Sequence, residues 1–328
     1  MIPFNIPCTL GSELENLKEC ITNQKFSGDG PFTKKCHQQL EKIYSGSKVL
    51  LTTSCTDALE MSAILCKISP GDEVIMPSFT FVSTANAFAL RGAKIIFVDI
   101  DPKTMNMDVD KAAEAITAKT KAIVAVNYAG WSCDMAKLVS ITNDHKLYLV
   151  EDAAQAITSK FNGKLLGTFG HFSTLSFHET KNIQCGEGGA LIINRAEYDS
   201  KAEIAREKGT NRSRFLRGQT DKYTWIDLGS SFLPSDINAA FLLPQLENVE
   251  QINSQRLKIW NEYKKIFSGL NLQDVEILDC PKYCDPNGHL FAIKVANLDV
   301  RTSLIDHLKN KGILAPFHYV PLLSKRIQ

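Results

Sequence analysis

The 328-residue sequence nowhere contains the ~18–20 unbroken apolar residues that a membrane helix requires, which argues against a helical membrane protein. It also lacks an excess of either charge. Lys plus Arg number 37 and Asp plus Glu 36, a formal net charge of +1. No long-range field therefore favours nucleic acid or an acidic membrane surface, and any anionic ligand has to be held by local groups. Cysteines in metal-binding arrays are missing too. The nine cysteines are scattered, and only Cys280-Pro281-Lys282-Tyr283-Cys284 is close-set, with no second pair or His-x-His to complete a zinc site. No metal is expected, and the thiols are expected to be reduced and mostly buried. Met1-Ile2-Pro3-Phe4-Asn5 lacks the basic start and apolar core of a secretory leader, so a cytoplasmic location follows.

What is present is globular: 44% hydrophobic and 22% charged residues. The length suits a large α/β domain with a smaller one appended. Two amphipathic helices are predicted near Glu13–Gln24 and Thr33–Tyr44, joined by the turn-rich Ser27-Gly28-Asp29-Gly30-Pro31. Apolar runs then alternate with helical patterns. Strands are predicted after Lys48 through Leu51 and at Glu73–Met76, Lys94–Val98, Ala122–Val126, Leu147–Val150, Thr174–Phe177 and Ala190–Ile193. Helices are predicted at Asp57–Lys67, Ser83–Arg91, Val109–Ile116 and Met135–His145. This rhythm implies a mostly parallel sheet of the seven-stranded type between helical layers. One long helical stretch runs from Ser235 to about Phe267, with an interruption expected at Pro244. A strand (His289–Val295), a helix (Arg301–Lys311) and Ile313–Val320 complete a small α+β domain. The expected division is residues 1–240 for the large domain, and 241–328 for the long helix and small domain.

In such sheets ligands sit beyond the carboxyl ends of the strands. Thr52-Thr53-Ser54-Cys55-Thr56-Asp57 opens a helix there with hydroxyls and free amides, a seat for phosphate or simply a capped helix. It contains no Gly-x-Gly-x-x-Gly dinucleotide fingerprint. Phe79-Thr80-Phe81 offers an aromatic face to a flat ring, or core packing. Glu151-Asp152 ends an apolar strand, where a buried acid needs a cation, a proton donor or a helix to cap. Lys181 lies between an apolar strand and Gly186-Glu187-Gly188-Gly189, where desolvation would make its amine a nucleophile. Ser176 stands five residues before it. A lone loop lysine is ordinarily solvated surface; the set of these residues in one chain order is what points to a cofactor.

In that order, Thr53-Ser54-Cys55-Thr56, Phe79-Thr80-Phe81, Glu151-Asp152-Ala153-Ala154-Gln155 and Ser176-Phe177-His178-Glu179-Thr180-Lys181-Asn182 resemble the DegT/DnrJ/EryC1/StrS sugar aminotransferases of fold type I. Gly28-Asp29-Gly30-Pro31-Phe32-Thr33, Glu207-Lys208-Gly209-Thr210-Asn211-Arg212-Ser213 and Phe317-His318-Tyr319-Val320-Pro321-Leu322 are similar to the subgroup that makes dTDP-4-amino-4,6-dideoxygalactose for enterobacterial common antigen. The resemblance implies pyridoxal 5′-phosphate (PLP) as cofactor, with pyridoxamine 5′-phosphate as its alternate form. Lys181 would be the Schiff-base lysine and proton carrier. Asp152 would pair with the pyridinium nitrogen, Gln155 would lie near the phenolic oxygen and Phe81 would stack on the ring. Cys55, Thr56 and Ser176 would hold the phosphate, with Asn182 beside the lysine in the same cofactor site. L-glutamate would donate the amine to dTDP-4-keto-6-deoxyglucose, in a homodimer with shared active sites.

A diphosphate substrate calls for cations. Arg206, Lys208, Arg212, Arg214, Arg217 and Lys222 cluster with only Glu207 and Asp221 nearby in sequence, as an anion site or as a solvated basic loop. Arg212, Arg217, Lys222, His318 and Tyr319 are the expected substrate contacts. The pattern departs from the family at Cys55, where most members have glycine but the near subgroup shares the cysteine. It departs also at Asn127, in place of a usual histidine, and at Leu233, in place of an asparagine that reaches the partner subunit's phosphate. Relatives usually continue past the final Leu322-Leu323-Ser324-Lys325-Arg326-Ile327-Gln328, so a shortened small domain is expected. Two other readings are a PLP-dependent sugar dehydratase, in which histidine replaces the lysine, and a binding protein that keeps the pocket without turnover. Amination at carbon 3 of the sugar is a further variant.

Overall fold

The computed structural model describes residues 1–270 and 272–322. The final residues singled out above, from Leu323 to Gln328, lie outside the described residues. Helices α1 (Glu13–Thr22) and α2 (Pro31–Ile43) lead into β1 (Lys48–Thr52), α3 (Cys55–Leu65), β2 (Glu73–Pro77), α4 (Val82–Ala89), β3 (Lys94–Val98) and α5 (Val109–Glu114). Then follow β4 (Thr120–Val126), α6 (Met135–Asp144), β5 (Tyr148–Asp152), the short β6 (Lys160–Phe161) and β7 (Lys164–Leu165), β8 (Phe172–Ser176) and β9 (Gly189–Ile193). Next come α7 (Asp199–Arg206), α8 (Arg212–Leu216), α9 (Asp236–Glu247) and α10 (Val249–Gly269). The described chain closes with β10 (Val275–Ile277), β11 (Cys284–Asp285), β12 (Ile293–Val295) and α11 (Leu298–Asn310).

Seven strands form one sheet in the order β1-β9-β8-β5-β4-β2-β3. All neighbours are parallel except β9, which runs against both β1 and β8. The fold is therefore the expected mostly parallel α/β architecture. Strand residues alternate between two layers, because successive side chains leave a strand on opposite faces. Val49, Leu51, Ile75, Ile123 and Ala125 join a core with Phe32, Leu40 and Leu242. Leu50, Val74, Met76, Ala122 and Val124 join another with Leu59, Met61 and Phe88. Helices thus cover both faces, as uniformly apolar parallel strands require.

The sheet's polarity places the carboxyl ends of β1, β2, β4, β5 and β8 along one edge. The amino end of β9 lies there too, with Gly189 in register with both Thr52 and Ser176. The Gly30-Pro31 start of α2 is secured from far away. Asp236 accepts from the Phe32 and Thr33 amides at 3.2 and 2.7 Å, capping the helix with a carboxylate from α9.

The long helical stretch is two helices, and its break falls at Asn248 (φ −113°, ψ 17°) rather than at Pro244. Pro244 sits within α9 because the Ala240 carbonyl it cannot serve accepts from Asn16 Nδ2 at 3.2 Å instead. The predicted strand His289–Val295 shrinks to Ile293–Val295, paired with Val275–Ile277. Residues upstream of it spend their polar groups elsewhere: the His289 ring meets Asn182, and the His289 and Leu290 carbonyls accept from Arg256 and Trp260 of α10. Ile313–Val320 forms no helix or strand beyond a single bridge from Ile313 to Ile2.

Candidate active site

At the end of β1, Ser54 caps α3 by accepting from the Asp57 amide at 3.0 Å. The amides of Cys55 and Thr56 then have no acceptor among the described residues, as the first turn of a helix dictates. The Thr56 hydroxyl donates to Ser83 Oγ, 2.8 Å away at the start of α4, which ties two helix N-termini together. Strand β9 comes so near that a Cβ on Gly189 would collide with the Cys55 amide and the Ser54 backbone. Only glycine lets Ser176, across from it, share this corner.

Two adjacent buried acids end β5 and differ in their partners. Glu151 is fully buried and accepts from the backbone amides of Gly167, Phe169 and Gly170 at 2.7, 2.7 and 2.9 Å. It is a structural anchor for the loop before β8. Among the described residues Asp152 accepts only from the Thr84 hydroxyl at 2.7 Å and the Ala154 amide at 3.2 Å. Burial pushes its carboxyl above the usual range, against the pull of Thr84, Ala154 and Lys181. No cation lies within ion-pair distance of Asp152 among the described residues. A buried carboxylate left so is costly.

Lys181 follows β8 on a turn in which its amide donates to the His178 carbonyl at 2.9 Å. Burial lowers its amine below the ordinary lysine value, while Cys55 and Asp152 act in the opposite sense. The same burial, reinforced by Asp152, raises the Cys55 thiol. Cys55, Asp152 and Lys181 therefore sense one another although they lie far apart in sequence. The acid without a cation, the desolvated amine and the free helix-terminal amides fit the pyridine, aldehyde and phosphate ends of PLP.

The neighbouring aromatics divide into core and site. Phe79 is 6% exposed and packs against Tyr128 and Tyr319, with centroids 5.1 and 5.2 Å apart. Phe81 is 59% exposed, so of the pair it alone presents a free ring face. Gln155 accepts from the Ala129 amide at 2.7 Å and donates to the Tyr319 hydroxyl at 3.3 Å. His318 stacks on Tyr319 at 4.5 Å and meets the Tyr128 hydroxyl at 3.2 Å through Nδ1. Burial and Lys181 lower the pKa of His318. The Phe317–Leu322 motif is thereby brought to the same strand edge as Asp152 and Gln155. Asn127 is buried at the end of β4, and its Oδ1 has no partner among the described residues.

Half of the basic cluster is neutralised by acids of the same chain. Arg206 is buried and pairs with Asp29; Arg212 pairs with Glu207 at 2.7 Å; Arg217 forks onto Glu203 at 3.0 and 2.8 Å. Two of these acids, Asp29 and Glu203, escaped the local count: one is remote in sequence, the other lies one turn upstream on α7. Lys208, Arg214 and Lys222 remain exposed, with no ion pair among the described residues. Leu233 lies against Gly28, where a Cβ would collide with it.

Asn182 is a second departure. Its Nδ2 donates to Asn253 Oδ1 at 2.7 Å and to the Asn287 carbonyl at 3.0 Å, and its Oδ1 meets His289 Nδ1 at 2.8 Å. The side chain is committed to protein, so a direct cofactor contact does not fit its geometry. Sequence reading missed Thr84, Asn253, Asn287 and His289, which carry no motif of their own. It also missed the N-terminal segment: Asn5 Nδ2 donates to the Glu179 carbonyl at 3.0 Å, and Phe4 lies edge-on to His318 at 6.2 Å.

Comparison with known proteins points one way. The profile of the DegT/DnrJ/EryC1/StrS aminotransferase family matches residues 7–327. GDP-perosamine synthase of Escherichia coli O157:H7 is 32% identical over 337 residues, covering 100% of this chain and 88% of that protein. Aminotransferase TlmJ from Streptoalloteichus hindustanus superposes with a TM-score of 0.91 at 26% identity, over 100% of this chain and 88% of that one. The PLP form of Spr1654 from Streptococcus pneumoniae gives 0.90 at 27% identity, over 98% and 85%.

Proposed function

The chain belongs to the DegT/DnrJ/EryC1/StrS aminotransferase family and is a PLP-dependent sugar aminotransferase; on that premise we propose that it transfers the amino group of L-glutamate to carbon 4 of dTDP-4-keto-6-deoxyglucose. The product is dTDP-4-amino-4,6-dideoxygalactose, for surface polysaccharide. The observation that carries the cofactor half of the reading is Asp152, buried without a cation among the described residues on the strand edge that also holds Lys181 and the α3 N-terminus; the sugar half rests on the motifs shared with the dTDP-sugar subgroup.

PLP, when bound, supplies the electron sink and carries the amine between the two substrates. Asp152 holds a negative charge for the ring nitrogen, with Thr84 orienting its carboxylate. Cys55, Thr56 and Ser176 hold the phosphate at the start of α3, where the helix dipole favours an anion. Phe81 would cover one ring face and Gln155 would meet the phenolic oxygen, its amide held by Ala129 and Tyr319. Lys181 takes a proton from the α-carbon of glutamate and later returns one at the sugar carbon. Burial lowers its pKa, which favours the neutral, proton-accepting amine relative to an exposed lysine.

His318, Tyr319 and Tyr128 make the sugar-side wall, and Lys222, one of the basic cluster's three exposed cations without an ion pair among the described residues, meets the diphosphate. In this reading the residues up to about 240 hold the cofactor, while those from 241 onward close over the sugar. The protein acts in the cytoplasm as a homodimer. Trp225 (77% exposed), Ile226 and Leu228 beside the basic segment supply an apolar surface for a second copy.

The family relation to GDP-perosamine synthase favours one alternative, a GDP-linked keto-sugar. Glutamate-dependent amination across dTDP-, UDP- and GDP-linked 4-keto- and 3-keto-6-deoxy sugars tests both. Turnover of the dTDP-4-keto compound alone is expected, and preference for GDP or for a 3-keto sugar overturns it. Mixing PLP-loaded protein with glutamate alone converts it to the pyridoxamine form if it is catalytic; no spectral change defeats the aminotransferase assignment in favour of a binding protein.

A further inference from the structure

Directly after Lys181, four buried polar side chains from three separate segments form one cluster, three of them linked in a directed chain of hydrogen bonds. Asn182 follows the lysine, Asn253 lies on α10, and Asn287 and His289 lie in the irregular stretch before β12; all four are buried. The orientation of each amide is fixed by a backbone carbonyl, which can only accept. Asn287 O faces Asn182 at 3.0 Å, so that atom of Asn182 is the amino group and its oxygen faces His289. The Asn182 amino group, 2.7 Å away, needs the oxygen of Asn253, and Ile157 O at 3.4 Å needs its amino group, which then donates to the Thr158 hydroxyl at 2.8 Å.

His289 must therefore donate from Nδ1, and its Nε2 carries a lone pair. The donations run His289 → Asn182 → Asn253 → Thr158, and each bond polarises the next. Asn287 braces the chain from the side, donating to the Gln155 and Ile157 carbonyls at 2.9 and 3.1 Å. Its Oδ1 fills the space that a Cβ on Gly130 would occupy. Burial, with Lys181, Arg256 and His318 nearby, holds the His289 imidazole neutral. The other groups packed around it are carbonyls and amides: Arg256 donates to the His289 and Gly288 carbonyls at 2.8 and 3.3 Å.

We propose that His289 is a positioning residue for Lys181, fixing Asn182 through a neutral Nδ1–H donor and so locking the lysine-bearing turn to α10 and to the Gln155 strand end. The proposal rests on Lys181 being the Schiff-base lysine. A donor is the requirement, not an imidazole, so asparagine, whose Nδ2 falls near the place of Nδ1, replaces it and phenylalanine does not.

The test compares His289→Phe, His289→Asn and wild type as PLP-loaded full-length protein, with Lys181→Ala as control. The pH midpoint of the visible band of bound PLP and the single-turnover rate with glutamate are read. His289→Phe is expected to bind PLP, shift the midpoint, and slow the half-reaction roughly ten- to hundredfold with little change in glutamate KM, as a displaced reacting group does. His289→Asn is expected to restore most of both. Wild-type behaviour in His289→Phe, or equal impairment in the two variants, overturns the proposal. If His289→Phe does not fold, Asn253→Ser breaks the same chain one link on, and an unshifted midpoint there overturns it. A visible band surviving in Lys181→Ala defeats the underlying reading instead, whatever the His289 variants do.

Discussion

Two regions of this chain place charge in opposite ways. Along residues 206–217 the cations are dense, yet Arg206, Arg212 and Arg217 each meet an acid of the same chain. At the strand edge charge is sparse, a single buried lysine amine and one of two neighbouring acids, yet Asp152 has no ion-pair partner among the described residues and burial lowers the Lys181 pKa. Density of like charge along the sequence measures composition. A buried group without its counter-charge marks where a ligand completes the protein.

The sharpest break of this contrast is Lys181→Ala. It is expected to abolish the visible band of bound PLP and to lower transamination on the order of 10⁴-fold, by removing the group that moves the proton. Reconstitution with PLP followed by absorbance and product assay checks it.

Asp152→Asn comes next, with a loss of about 10²–10³-fold in turnover at preserved fold. For the cofactor-free protein the same change is expected to stabilise. The Asp152 pKa is raised in the fold, so the folded state holds a proton that the unfolded state releases, and stability falls as pH rises from the ordinary carboxylate range through the folded value. Thermal melts of cofactor-free wild type and Asp152→Asn should therefore diverge at neutral pH and converge in acid. If wild type melts higher at neutral pH, Asp152 already has its counter-charge.

On the compensated side the effect is on stability. Asp29→Asn leaves buried Arg206 without its acid, at a cost of about 3–5 kcal/mol by urea unfolding. Burial alone would raise the Asp29 pKa, but Arg206 outweighs it and the value is lowered. Its stabilisation is thus present above the ordinary carboxylate range and lost as pH falls through the folded value. Wild type and Asp29→Asn should approach each other there.

The smallest effects separate the exposed cations. Arg217→Ala is expected to cost about 1 kcal/mol or less, since its fork onto Glu203 is half exposed, and to leave substrate KM unchanged. Lys222→Ala is expected to raise the nucleotide-sugar KM by about fivefold with stability unchanged. The reverse pattern in steady-state kinetics would return the diphosphate site to Arg217.

Much of the large sheet was legible because each strand is a short apolar run bounded by turn residues, so Lys94–Val98 is found at its predicted bounds and the others within a few residues. The cofactor residues were legible because chemistry at strand ends leaves polar residues where apolar ones are expected. The partners of those residues were not. Nothing near Arg206 in sequence announces Asp29, and nothing near Lys181 announces Asn253 or His289, because tertiary contact alone pairs them. Glu151 and Asp152 show the limit most plainly. Adjacent and alike in sequence, they were separable only once the amides of Gly167, Phe169 and Gly170 were seen to saturate one of them.

The reversal of β9 has a consequence for how the site comes into being. Because β9 runs against β8, Lys181 rides on the local connection of a hairpin, residues 177–188, whose ends meet at small entropic cost. The phosphate corner instead needs β1 to close on β9, matching Thr52 with Gly189 across most of the large sheet's sequence. Local pairings of this kind form readily and remote ones slowly. The lysine's turn can therefore be shaped before the helix end that receives the cofactor arrives, and the holding site is finished by the last strand to dock on that edge.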